Sequence, residues 1–214
     1  MKLILGNKNY SSWSLRPWLA MKKLDLDFEE VVVPLLKPGF KEELLKYSST
    51  GKVPVLIHNT QSIWDSLAIL ETLAEDHPSL LPSSASARAH ARSVSAEMHS
   101  SFTALRVAMP MNCRALNRRV AVSDVMAAEL ERIDAIWQDC RTRYASDGPW
   151  LFGQFSIADA MYAPMVCRFN TYEPPLSQCA HDYMNTVLND PCMTQWFVDS
   201  RAEIEVLAIS EIGQ

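Results

Sequence analysis

Lys52-Val53-Pro54-Val55-Leu56-Ile57 reads as a β-strand carrying one residue that a strand should reject. Val, Leu and Ile suit a half-buried pleat, but a proline donates no ladder hydrogen bond. A sheet therefore accepts it only at an edge, a bulge or a strand start. The stretch is expected to be an edge strand opened by Pro54. An X-Pro bond adopts the cis form at modest cost, and a cis bond here would turn the preceding backbone, leaving the N–H and C=O of Val53 free. An extended peptide would then pair with Val53 as an added strand. A plain edge proline with no such role fits the same letters.

Downstream, Asp65-Ser66 immediately precede the apolar run Leu67-Ala68-Ile69-Leu70, which opens a predicted helix over Ser66 to Glu75. Ser66 as a helix cap is one reading. The other is a ligand site, in which the helix N-terminus attracts a carboxylate and Asp65 holds an ammonium, so that the pair takes both ends of an amino acid. Upstream, the hydroxyl-rich loop "NKNYSSWSLRPW" (residues 7–18) leads into a predicted helix from Trp13 to Leu24. Its hydroxyls serve as caps or, with the helix N-terminus, as a means of stabilising a bound thiolate. No C-x-x-C occurs, which excludes a redox dithiol.

Around these pieces the chain reads as a strand at Lys2 to Gly6, a second strand ending at Pro34, a short helix from Phe40 to Lys46, and a turn at Asn59 to Gln61 before a strand from Ser62 to Trp64. The order β-α-β-α-β-β-α combines a parallel pair joined by a helix with a terminal hairpin. The Pro/Ser-rich "HPSLLPSSASA" (77–87) then marks a linker. Beyond it only helices are expected. Val94, Met98, Phe102, Leu105 and Met109 form one apolar stripe on a helix from about Arg88 to Met109, with Pro110 inside or just past its end. Val125, Leu130, Ile133, Ile136 and Trp137 form another.

The 214 residues are 48% hydrophobic and 21% charged, enough for one large or two small domains. A net charge of −5 without long basic runs argues against nucleic acid or an anionic membrane as partner. The N-terminal apolar run Leu3-Ile4-Leu5 is too short for a leader or a membrane span, and a cytoplasmic protein is expected. Five widely spaced cysteines read as reduced thiols, with no disulfide framework and no metal site.

Two blocks carry a resemblance over essentially the whole chain. "KVPVLIHNTQSIWDSLAILETLAEDHP" (52–78) resembles the cis-proline and acid-serine region of the soluble glutathione transferase family, closest in wording to its zeta and tau classes. "GPWLFGQFSIADAMYAPMVCRF" (148–169) is similar to that family's C-terminal helix with a buried Ser-x-x-Asp box, here Ser156 and Asp159, a structural cap. The resemblance implies an α/β plus all-α fold, with a thioredoxin-like glutathione-binding domain over 1–80, a linker at 81–86 and an all-helical domain over 87–214. It implies glutathione as co-substrate and a homodimer.

Carried over by position, Val53 pairs with the cysteinyl backbone of glutathione beside cis Pro54. Asp65 and Ser66 hold the γ-glutamyl amino and carboxylate groups, and Lys52 adds a charge contact. The catalytic loop departs from the zeta pattern S-S-C-x-W-R-x-R-I-A-L, with Ser11 aligned at the cysteine and Asn9 at the first serine. Ser11 is the first candidate for activating the thiol, then Ser12, with Tyr10 and Asn9 as contenders. For the electrophile, His99, Thr103 and Arg106 are expected to share a helix face toward the cleft, with Trp13, Met109, Met111 and Tyr172 nearby. The family implies thiolate addition to small hydrophobic electrophiles. Isomerisation of the maleylacetoacetate type and a scaffold without catalysis are the alternatives.

Overall fold

The computed structural model describes residues 1–213. Strand β1 (Lys2–Leu5) leads to helix α1 (Ser12–Lys23), strand β2 (Glu29–Val32), helix α2 (Phe40–Leu45), strands β3 (Val55–His58) and β4 (Gln61–Trp64), and helix α3 (Ser66–Asp76). This is the order read from the sequence. The strands lie side by side as β2-β1-β3-β4. β1 runs parallel to β2, with Lys2 opposite Glu29, and antiparallel to β3, with Ile4 opposite Val55. β3 and β4 make the hairpin, Val55 opposite Trp64.

Pro54 therefore opens an interior strand, flanked by β1 and β4, and not the edge strand its proline suggested. The sheet accommodates it because pairing starts one residue later, at Val55, so no ladder bond calls for a proline N–H. The interior strand β1 is buried on both faces. Leu3 and Leu5 pack into the main core with Leu15, Leu19, Ile69 and Leu70, while Ile4 joins Val33, Leu44 and Val55 in a smaller core on the other face.

Helices α4 (Ala85–Ser100), α5 (Thr103–Ala108), α6 (Asp124–Tyr144), α7 (Ile157–Tyr172), α8 (Gln178–Leu188) and α9 (Pro191–Ala202) follow. The expected continuous helix from Arg88 to Met109 is broken at Phe102, whose φ of 63° is left-handed. The break is satisfied from both sides. Arg106 donates to the carbonyls of His99 and Ser101 at the end of α4, and the Glu129 carboxylate of α6 accepts the N–H groups of Ala104 (3.3 Å) and Leu105 (2.7 Å) at the start of α5. Apolar spacing cannot reveal it, because Val94, Met98, Phe102, Leu105 and Met109 all remain buried across it. Pro110 lies beyond the end of α5. On α6, Val125 is exposed and Met126 takes the buried position.

All of α7 except Asn170 is buried, as expected of a helix apolar on every side, and it packs against both α1 and α4. Its start is fixed by Asp159, whose carboxylate accepts from the Ser156 N–H (2.9 Å), the Ser156 hydroxyl (3.0 Å), the Leu151 N–H (3.0 Å) and the Tyr183 hydroxyl (3.2 Å). Burial pushes this carboxyl up to about 6 against the pull of those four donors. In the preceding turn Gly153 adopts a φ of 82°, and a Cβ there would stand 2.3 Å from that of Asp147. All five cysteines are free. Among the described residues no helix is long and apolar enough to cross a membrane.

Candidate functional site

A cavity of about 600 Å³ opens where the β3 approach, the N-terminal ends of α1 and α3, and the end of α4 meet. Its wall brings together seven positions singled out in the sequence: Lys52, Val53, Pro54, Asp65 and Ser66, with Trp13 and His99 facing them. Thr50 and Trp64 complete the lining and were not foreseen. The Val53-Pro54 peptide bond is cis. Among the described residues, the backbone N–H and C=O of Val53 have no backbone partner, so a ligand strand can take both.

The two readings of Asp65-Ser66 separate cleanly. Asp65 caps α3, its Oδ1 accepting the N–H groups of Leu67 (2.9 Å) and Ala68 (3.2 Å) from a backbone with φ of 74°. Its Oδ2 lies 3.2 Å from His99 Nε2, on the helical side of the cavity. Ser66 is thereby released from capping and sits 1% exposed at the first position of α3. Its Oγ accepts from Arg16 Nη1 at 3.2 Å.

Arg16, behind the wall, was not foreseen in the sequence either. It is fully buried on α1, and its guanidinium stacks on the Trp13 indole with Cζ 4.3 Å from the ring centre. Arg106 reaches the same ring at 5.5 Å, and His99 meets it edge-on with centres 5.4 Å apart. Burial lowers the Arg16 pKa to about 9, and the neighbouring charges of Arg106 and Arg168 push the same way, with Asp65 opposing them. The available signal was a lone arginine inside the apolar stretch Leu15 to Ala20.

At the start of α1, Ser11 is the N-cap. Its hydroxyl donates to Ser14 Oγ (2.7 Å), which also accepts the Gly6 N–H (3.0 Å), tying the helix to the end of β1. Ser12, the first helical residue, has no side-chain hydrogen bond among the described residues. Asn9 and Tyr10 are engaged elsewhere. Asn9 bonds Asn112 and the N–H of Arg114, and Tyr10 bonds Glu211 and Arg114. Glu203 accepts the N–H groups of Lys8 (2.6 Å) and Asn9 (3.0 Å), so the segment after α9 straps this loop down. Nothing in the local sequence announces these contacts, which join residues about one hundred to two hundred positions apart.

The break at Phe102 separates the three residues expected on one helix face. Only His99 lines the cavity, while Arg106 backs Trp13 and Thr103 is exposed at the first position of α5. Met109, Met111 and Tyr172 are 2%, 1% and 4% exposed, belong to the core, and are absent from the cavity wall.

With this geometry in hand, comparison with known proteins fixes the family. The model of the glutathione S-transferase N-terminal domain matches residues 10–76, and that of the C-terminal domain matches residues 123–197. The chain belongs to the glutathione S-transferase family. Among curated relatives, a probable maleylacetoacetate isomerase of Caenorhabditis elegans is 41% identical over 86 residues, covering 39% of this chain and 39% of that protein. The maleylacetoacetate isomerase of Rattus norvegicus is 28% identical over 172 residues, covering 78% of this chain and 76% of that protein. The matches to the first curated relatives thus span between about two fifths and 63% of their lengths. Among solved structures, a Burkholderia glutathione transferase homolog with bound glutathione superposes with a TM-score of 0.72 at 24% identity, covering 94% of this chain and 98% of that one.

Proposed function

We propose that the protein binds glutathione in the 600 Å³ cavity, stabilises its thiolate and adds it to small hydrophobic electrophiles. The observation that carries this reading is the convergence on one wall of an unpaired Val53 backbone, the Asp65 carboxylate and the Ser66 hydroxyl at a helix N-terminus. A γ-glutamyl tripeptide presents the complementary groups, an extended cysteinyl backbone and an amino-acid head. The thiol would then lie toward the N-terminus of α1, where Ser12 has its hydroxyl uncommitted and the helix end favours negative charge. Ser11, as N-cap, holds that end in place. The thiol proton passes to solvent, the sulfur forms a bond to the electrophilic carbon, and the leaving group departs with its electron pair. No protein nucleophile is needed.

A second reading, glutathione-dependent cis-trans isomerisation of the maleylacetoacetate type, is favoured by the names of two of the relatives. There the thiolate adds to the double bond and is expelled after rotation, so glutathione is not consumed. The reading extends to a cytoplasmic homodimer, by family resemblance. Turnover of a chloronitrobenzene with stoichiometric loss of glutathione supports the transferase. Turnover of maleylacetoacetate with none lost supports the isomerase, and binding of glutathione without either would leave a scaffold.

A further inference from the structure

The turn from Asn7 to Ser11 delivers the Ser11 cap and Ser12 to the start of α1, and much of what holds it comes from the helical domain. The turn closes on the Asn7 carbonyl, which accepts the N–H groups of Tyr10 (3.1 Å) and Ser11 (2.8 Å). Between them, the N–H groups of Lys8 and Asn9 are both taken by one carboxylate, Glu203, with one bond on each oxygen. Successive N–H groups in a turn make an anion site, and here the anion is a side chain from beyond α9. Asn9 is gripped as well by the segment after α5, its carbonyl accepting the Cys113 N–H (3.1 Å) and its Oδ1 the Arg114 N–H (2.8 Å).

The segment that carries Glu203 is itself lightly held. Arg114 donates to the carbonyls of Glu203 and Glu205, Tyr10 and Arg118 donate to the Glu211 carboxylate (2.7 and 2.9 Å), and Lys37 pairs with Glu205 at the surface (2.8 Å). Meanwhile Ile204, Val206 and Ile209 are 88%, 67% and 72% exposed. A surface segment fastened by polar contacts, with apolar side chains in water, opens locally at small cost. We propose that the segment after α9 is a detachable strap whose Glu203 sets the backbone of the turn, so that docking favours the ionised thiol of a bound ligand at α1 and release disfavours it. Glu203 is a positioning residue: through the Lys8 and Asn9 backbone it fixes Ser11 and Ser12 at the helix end where a thiolate is stabilised. The cavity wall at Val53, Asp65 and Ser66 takes no contact from the strap, so docking acts on the sulfur end of the ligand and leaves its head in place. Coupling is reciprocal, so a bound thiolate should also hold the strap down.

The inference rests on the glutathione reading and deepens it, and its tests keep the two apart. In the unmodified protein, amide hydrogen exchange of Lys8, Asn9 and residues 203–211 is followed with saturating glutathione or with S-methylglutathione, which has the same head but no thiol proton to lose. Glutathione should slow exchange there by about threefold or more beyond the methylated ligand. Equal protection by the two ligands overturns the inference, and no variant has to fold for that result. Glu203→Ala frees the Lys8 and Asn9 N–H groups. Its affinity for glutathione should stay within about threefold, while the ionised fraction of the bound thiol near neutral pH, read by ultraviolet absorbance, should fall about threefold. Glu203→Gln, which keeps one acceptor oxygen, should fall between the two. A merely structural role would lower the urea midpoint and leave the ionised fraction unchanged. That result, or a rise in the ionised fraction, overturns the inference while the glutathione reading stands. If glutathione does not bind the unmodified protein, the glutathione reading falls, and this inference with it.

Discussion

Asp65 Oδ1 caps helix α3 through the N–H groups of Leu67 and Ala68, while Oδ2 of the same carboxylate lies 3.2 Å from Nε2 of His99 on α4. One side chain thus ends a helix of the sheet domain, joins that domain to the helical one, and faces the cavity. Its two roles can be pulled apart.

Asp65→Asn keeps a good cap and suits the positive φ at this position, so stability should change by less than about 0.5 kcal/mol. The charge that would hold the glutathione ammonium is lost, and affinity should fall about tenfold or more. Denaturant melts paired with glutathione titration read both quantities from the same variant. Comparable losses in stability and in binding would show that the carboxylate is structural only.

His99→Ala removes the partner of Asp65 and the edge contact on Trp13, both at partly exposed side chains. A stability loss of about 1 kcal/mol or less is expected, since exposed pairs contribute little. The KM for glutathione should rise several-fold with kcat changed less, because the residue shapes the binding wall. Steady-state kinetics with glutathione varied checks this.

The two loop serines should respond differently. Ser11→Ala loses the N-cap of α1 and its link to Ser14, costing roughly 1 kcal/mol of stability. Ser12→Ala removes the uncommitted hydroxyl and should raise the pKa of bound glutathione, visible as a loss of ultraviolet thiolate absorbance and a kcat/KM profile displaced to higher pH. An unchanged profile in the Ser11→Ala, Ser12→Ala pair would assign thiol activation to another group.

Asp159 makes the stability of the fold pH-dependent in an uncommon direction. Its carboxyl is raised from 3.8 to about 6 in the folded chain, so between those values the folded state holds more protons than the unfolded state. The contribution of this residue is fully present below about pH 4 and is lost as pH rises toward 6. Asp159→Asn offers an amide N–H₂ to donors at Ser156, Leu151 or Tyr183 and should destabilise by about 3 kcal/mol, removing this part of the slope. Urea melts between pH 4 and 7 measure both effects.

The fold was legible because local chemistry carries it. β-branched runs, a proline one residue before a strand and helix-spaced apolar residues gave the element order, and "KVPVLI" with Asp65-Ser66 pointed to one wall of the cavity. What stayed hidden depends on partners distant in sequence. The interior position of β3 is set by pairing with β1, and the break at Phe102 is made tolerable by Glu129 on another helix. Asn9 and Tyr10 looked available until the residues after α9 and those near Asn112 claimed them. Arg16 was not singled out, because its hydroxyl partner lies fifty positions away.

The cavity is proposed to bind glutathione and to ionise its thiol. Calorimetric titration with glutathione near neutral pH, in two buffers of different ionisation heat, counts the protons released on binding. Saturable binding with release of most of a proton from the thiol is expected. Binding without proton release would contradict thiol activation, and no binding at all would contradict the site.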